Sequence, residues 1–433
     1  MTAPMVGDGS GIRRTQLDSG LRVVTEHLPG LRSVAVGFWV GTGSRDEPEP
    51  IAGASHFLEH LLFKGTESRR AADIAEAVES VGGDMNAFTG QEVTAFYVRV
   101  PDRHLPLALD ILSEIVWSPA LRPDEVESER QVILEEIRMR EDTPDDVVHD
   151  LFADALFPDH PLGREVAGTH ASIARMSRDQ ISDYHAAHYQ PGNVVVAVAG
   201  NLDHAEVVKA VDASQPGAAH DRPTRRDGAD AGEPRAVALL ERPLEQAHMV
   251  IGTRALRRND PDRYALAVLD QVLGGGMSSR LFQEVRERRG LAYSVFSYRS
   301  AFQETGSLAV YCGTAPERVE EVLDVVGAEL DRLVADGGIT ERELVSAKGH
   351  LVGSLALSLE SSSSRMHRIG RSELTMGEIP TLDEVVAAVE QVTAGDLARV
   401  IDRVLGTGTR ALAVVGPVGQ LGLEEQTPEH GAA

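Results

Sequence analysis

Asn193-Val194-Val195-Val196-Ala197-Val198-Ala199-Gly200 decides how this chain is read, because it returns near the end as Thr409-Arg410-Ala411-Leu412-Ala413-Val414-Val415-Gly416. Both are short apolar runs, the first richly β-branched, as buried strands are. The closing glycines lie 216 residues apart. Two further matches keep nearly that distance. Val34-Ala-Val-Gly37-Phe-Trp-Val-Gly41 resembles His248-Met-Val-Ile-Gly252-Thr-Arg-Ala255, and Val100-Pro101-Asp102-Arg103 resembles Ala315-Pro316-Glu317-Arg318; each offset is 215 residues. Three matches at one spacing mark a tandem duplication of a unit of roughly 200 residues. Residues 213–235 are rich in Pro, Gly, Ala and charge and read as the linker. The expected division is 1–212, linker 213–235, and 236–433.

Each half mixes strands with helices. Leu21 to Glu26 and Ser33 to Val40 alternate in strand fashion, and Phe96 to Val100 and Val194 to Ala199 are apolar and strand-like. Ala71 to Val81 and Leu105 to Val116 carry helical periodicity. The fold class expected is α+β, a mainly antiparallel sheet covered by helices, present twice.

The duplication supplies an internal control for the most chemically loaded stretch, His56-Phe57-Leu58-Glu59-His60. Helical spacing puts His56, Glu59 and His60 on one face. Two imidazoles one turn apart suit one zinc ion, with a carboxylate between them for a water; this is the inverted order of the H-E-x-x-H signature of zinc hydrolases. At the 215-residue offset the same positions hold Gln271, Gly274 and Gly275. The first copy is therefore the catalytic one.

A catalytic zinc takes a third protein ligand. The run Glu125 to Arg140 reads as an amphipathic helix with Val126, Ile133 and Ile137 among its apolar positions. Glu129 and Glu136 stand two turns apart on one face. Glu129, Glu135 and Glu136 are all eligible, and periodicity does not choose among them.

His56-Phe-Leu-Glu-His-Leu-Leu-Phe-Lys-Gly-Thr66, followed by Glu129-Arg-Gln-Val-Ile-Leu-Glu-Glu-Ile-Arg-Met139, resembles the pitrilysin and mitochondrial processing peptidase family of zinc endopeptidases, the inverzincins. Asp159 to Arg164 and Gly274 to Phe282 are similar to it too, so the resemblance spans nearly the whole chain, as a short two-domain bacterial-type member. It implies Glu136 as third ligand to one Zn²⁺ per chain, 76 residues after His60, with Glu129 as a supporting acid. Glu59 is then the general base that takes a proton from water and delivers it to the leaving amine. The resemblance also implies that Asn86 and Ala87, in Gly82 to Thr89, form an edge strand that pairs with a peptide backbone. Arg286 and Tyr293 are implied as substrate contacts from the second half.

Family members are clamshells of four such units around a closed chamber, so two chains of this length are implied, as a homodimer or with a ligand-free paralogue. Peptide substrates follow. The alternatives are a structural core subunit of the kind that has lost its metal ligands, and a peptide-binding module without turnover. A formal net charge of −25 argues against nucleic acid and suits cationic ligands. One cysteine, Cys312, leaves no internal disulfide and fits a reducing compartment. With no secretory-type apolar segment at the start and no run of about 18 apolar residues, no membrane span and a cytoplasmic location are expected. Gly274-Gly275-Gly276 lacks the pattern of a phosphate-binding loop. His149, His185 and His188 read as surface or packing residues, and Cys312 as core.

Overall fold

A computed structural model describes residues 11–216, 226, 231–336, 338–406 and 408–420. Most of the expected linker, residues 217–225 and 227–230, lies outside them. The strands are β1 (Ile12–Gln16), β2 (Arg22–His27), β3 (Ser33–Val40), β4 (Asp84–Thr89), β5 (Thr94–Pro101), β6 (Val194–Gly200), β7 (Val237–Glu241), β8 (Ala247–Ala255), β9 (Ala292–Ala301), β10 (Gly306–Thr314) and β11 (Ala411–Gly416). Helices of the first half are α1 (Ala54–Leu62), α2 (Ala71–Glu79), α3 (Leu105–Trp117), α4 (Pro123–Glu141), α5 (Pro144–Leu156), α6 (His170–Arg175), α7 (Arg178–His188) and α8 (His204–Ser214). Those of the second are α9 (Arg263–Leu273), α10 (Val319–Asp336), α11 (Glu341–Ser358), α12 (Ser362–Thr375), α13 (Leu382–Gln391) and α14 (Ala394–Ile401).

One sheet runs β1-β2-β6-β3-β5-β4 and the other β7-β11-β8-β10-β9. Apart from β1, the orders correspond strand for strand. β2 pairs parallel with β6, β7 pairs parallel with β11, and the other ladders are antiparallel. This is the duplicated, mainly antiparallel α+β plan of the sequence. Even the two Pro-led turns match: both open a short 3₁₀ turn that runs into a long helix, α3 in one case and α10 in the other.

The chain forms two compact units, and neither is continuous in sequence. Of the described residues, the first comprises 11–137, 165–216, 226 and 356–381; the second comprises 138–164, 231–336, 338–355, 382–406 and 408–420. In the first unit one face of the sheet is covered from its own half. Phe57, Leu58 and Leu61 of α1, Ile111 and Leu112 of α3, and Val207 and Val211 of α8 bury against Val34, Val36, Phe38 and Val196. The other face is covered by α12, whose Met366, Ile369 and Leu374 pack on Val24, Ala35, Trp39, Val195 and Ala197. The second unit repeats this with α5: Val148, Phe152, Ala155 and Leu156 pack on Val250, Ala309, Ala411, Ala413 and Val415. Helices α5 and α12 are counterparts in the repeat, so each half lends the other the same element.

The repeated glycine explains how the lent helix fits. A Cβ at Gly37 would lie 2.4 Å from Met366 Sδ, and one at Gly252 would lie 2.8 Å from Phe152 Cζ and 2.5 Å from the Leu308 carbonyl. A central strand tolerates glycine where another element must approach closely. Buried charge fixes the first of these contacts. Glu373, on α12 and fully buried, pairs with Arg14 at 2.7 Å and Arg22 at 3.4 Å.

Candidate active site

Helix α1 turns its apolar residues inward: Phe57, Leu58, Leu61 and Leu62 are buried. The helical period then places His56, Glu59 and His60 on the other side, half-buried. The start of the helix is held by Glu47, itself buried. Its two oxygens accept the backbone N–H groups of Gly53 at 2.6 Å and Ser55 at 2.7 Å. A carboxylate there satisfies orphan donors and complements the positive helix end.

Helix α4 supplies the acids. Val126, Ile133 and Ile137 anchor it in the core. Glu136 brings Oε2 to 3.7 Å from His56 Nε2 and 3.5 Å from His60 Nε2. One ligand atom from each of the three lies within 4.8 Å of the others, the single such group of three among the described residues. Glu129 takes a different position. Its buried Oε2 lies 3.1 Å from His60 Nδ1. With Nδ1 protonated, His60 donates to Glu129 and turns the Nε2 lone pair toward Glu136. Glu135 is exposed. Geometry thus separates three acids that helical periodicity left equivalent. Two imidazoles, one carboxylate and a carboxylate behind the second imidazole are a donor set that suits zinc.

Glu59 is the remaining carboxylate of the cluster. Burial pushes its pKa above the ordinary carboxylate value; the Thr89 hydroxyl and His60 pull it down, and Glu136 pushes it up. Thr89 Oγ1 donates to Glu59 Oε2 at 2.5 Å. Thr89 ends β4, which pairs with β5 alone among the described strands and is the sheet's edge. Asn86 and Ala87 lie on that strand. Gly90 N–H donates to the Val93 carbonyl, so the hydrogen-bonded pairs of the hairpin fall at Phe88/Ala95 and Asn86/Tyr97. Ala87, opposite Phe96, therefore turns its backbone groups to the open edge. Its N–H is held by Asn86 Oδ1 at 2.8 Å.

Arg286 and Tyr293 belong to the second unit. Arg286 sits in a π-helical segment, Phe282–Arg288. Its guanidinium lies 4.5 Å from the Tyr293 ring centre and 4.7 Å from that of Phe282. Tyr293 is 80% exposed on the edge strand β9. The two side chains lie together, Tyr293 exposed and Arg286 half-buried. His149 pairs with the Tyr298 hydroxyl, His185 with the Val116 carbonyl and His188 with the Thr42 hydroxyl. Cys312 is buried in β10.

Three residues around this cluster were given no role by the sequence: Glu47, Lys64 and Thr89. Lys64 follows His60 by one helical turn, the only hint available; its Nζ lies 2.7 Å from Glu129 Oε1.

A family model described as Insulinase (Peptidase family M16) matches residues 22–170, and one described as Peptidase M16 inactive domain matches 175–351. An uncharacterized zinc protease of Streptomyces coelicolor is 47% identical over 417 residues, covering 94% of this chain and 90% of the relative. The chain belongs to peptidase family M16. The uncharacterized zinc protease YmxG of Bacillus subtilis is 40% identical over 413 residues, covering 95% and 99%. Among solved structures, a protease from Helicobacter pylori superposes on this M16 chain with a TM-score of 0.87 at 25% identity, covering 93% and 99%. A peptidase M16 inactive domain from Pseudomonas fluorescens gives 0.85 at 23% identity, covering 96% and 100%, a likeness of fold. The stretch matched as insulinase contains His56, Glu59, His60 and Glu136. The stretch matched as inactive contains Gln271, Gly274 and Gly275 in place of His56, Glu59 and His60. No described helix is long and apolar enough to cross a membrane.

Proposed function

We propose that this M16 chain is a zinc-dependent endopeptidase acting on unfolded peptides. The observation that carries the reading is the convergence of His56, His60 and Glu136 within 4.8 Å, with Glu59 from the same helix beside them. Relatives named zinc proteases over more than nine-tenths of the chain support it.

His56, His60 and Glu136 would hold the ion. When bound, zinc supplies a Lewis acid that polarises the scissile carbonyl and acidifies water. Glu59 takes the proton of the attacking water on its carboxylate and returns it to the leaving amine. Its raised pKa suits that exchange, because a base close in pKa to the working pH both accepts and releases a proton. Thr89 orients the carboxylate. Ala87, on the open edge of β4, offers N–H and C=O to an extended substrate; Asn86 must then release the Ala87 N–H. Arg286 and Tyr293 are substrate contacts supplied by the second unit.

The chamber of the family needs four units and this chain has two, so the working enzyme is a homodimer, with Arg286 and Tyr293 serving the partner's site. Charge and the single buried thiol fit a cytoplasmic enzyme. The reading as a structural subunit is disfavoured by the intact cluster.

The test is cleavage of a quenched fluorescent peptide by protein stripped with a chelator and then given back zinc. Loss and recovery of turnover, with about one zinc per chain, is expected. Turnover that ignores the chelator, or protein that retains no zinc, overturns the proposal.

A further inference from the structure

The carboxylate behind His60 is itself held in place. Glu129 has two oxygens and each has its own partner. Oε2 lies 3.1 Å from His60 Nδ1, and Oε1 lies 2.7 Å from Lys64 Nζ. The Glu129 side chain is 6% exposed. A buried carboxylate needs a counter-charge or a full set of donors. His60 in its metal-binding tautomer is neutral, so it supplies a donor and no charge. The ion pair of Glu129 is with Lys64.

Lys64 is well placed for this. Its backbone N–H donates to the Leu61 carbonyl at 3.0 Å, which continues the last turn of α1. Its side chain therefore follows that of His60 by one turn and reaches the same carboxylate. The carboxylate plane is fixed from two points, His60 in the last turn of α1 and Lys64 just beyond its end. A rotation that would pull Oε2 off His60 must also break the ion pair.

We propose that Lys64 is a positioning residue of the metal centre, acting through Glu129 to aim His60 Nε2. This rests on the zinc reading above and goes beyond it by adding a third tier behind the ligands. Partners behind a metal-binding histidine fix its ring and tautomer, and losing one costs ~10–100-fold in metal affinity. A lysine near a helix end also interacts with the helix dipole, a role independent of Glu129. The two roles predict different outcomes.

The experiment measures zinc affinity by competition with a chromogenic chelator, and the visible spectrum of the cobalt(II)-substituted protein. The proteins are wild type, Lys64→Met, Lys64→Arg, Glu129→Gln and Glu129→Gln/Lys64→Met. Lys64→Met should weaken zinc binding ~10-fold or more and change the cobalt spectrum, since the ligand field reports ring orientation. Lys64→Arg should restore most of both. In the Glu129→Gln background Lys64→Met should cost less than about twofold, because residues of one network are not additive. Should Lys64→Met fail to fold, that double variant carries the same test, since it leaves no unbalanced buried charge. Wild-type affinity in Lys64→Met overturns the proposal. So does a further ~10-fold loss in the Glu129→Gln background, which additive, independent roles would give. Wild-type protein that binds no zinc overturns the metal reading itself and this inference with it, an outcome separate from the other two.

Discussion

Thr89→Val probes the general base without touching a ligand. Burial is the largest influence on Glu59 and raises its pKa, and the Thr89 hydroxyl opposes it. The hydroxyl donates to Oε2 at 2.5 Å, and it stabilises the carboxylate more than the neutral acid. A hydrogen bond to a charged group contributes ~1.5–3 kcal/mol. One pKa unit corresponds to about 1.4 kcal/mol, so its loss should raise the Glu59 pKa, with roughly two units as the upper bound. Glu59 acts as a base only when deprotonated. The acidic limb of kcat/KM should therefore move to higher pH within that bound, while the rate well above the limb changes little. Valine keeps the β-branched shape, and position 89 stays opposite Thr94 in the ladder. Thr89→Ser, which keeps the donor, should return the limb toward its original place. The assay is a pH profile of peptide cleavage by zinc-loaded proteins of equal metal content. A limb that stays put in Thr89→Val, or moves to lower pH, refutes the reasoning.

Gly252→Ala should lower the melting temperature of the second unit. Its Cβ would lie 2.5 Å from the Leu308 carbonyl and 2.8 Å from Ala309 Cα, and overpacking of that kind costs ~1–3 kcal/mol; an unchanged melting curve would show that the approach of α5 does not need the glycine. Burial pushes the Cys312 thiol up to about 12. Since the thiolate is the reactive form, native protein should resist iodoacetamide at mildly alkaline pH and react promptly once unfolded. Rapid labelling of native protein, followed by mass spectrometry, would contradict the buried position.

Much of the fold was legible because duplication writes the same physics twice. The runs ending at Gly200 and Gly416 became β6 and β11, central strands buried on both faces. Gly37 and Gly252 occupy matching places in β3 and β8. The exchange of α5 and α12 was not legible. An amphipathic stretch such as Pro144 to Leu156 shows that it must bury one face, not which sheet receives it. The same limit applied at the cluster. Spacing put His56, Glu59 and His60 on one face, since three and four residues fix an angle on a helix. Glu129 and Glu136 share a face of α4, so only their distances from the two rings distinguish them. Glu47, Thr89 and the role of Lys64 depend on contacts across loops and strands. Residues 6, 8, 30 and 65 positions from their partners leave no periodic trace.

In the function proposed above, Glu59 is the base beside a zinc ion held by His56, His60 and Glu136. Glu59→Gln keeps the volume of the side chain and the metal ligands and removes the base. Peptide turnover measured beside zinc content in the same samples is the most direct test. Glu59→Gln should retain about one zinc per chain and cleave no peptide. Cleavage at the wild-type rate by the zinc-loaded variant would contradict that role.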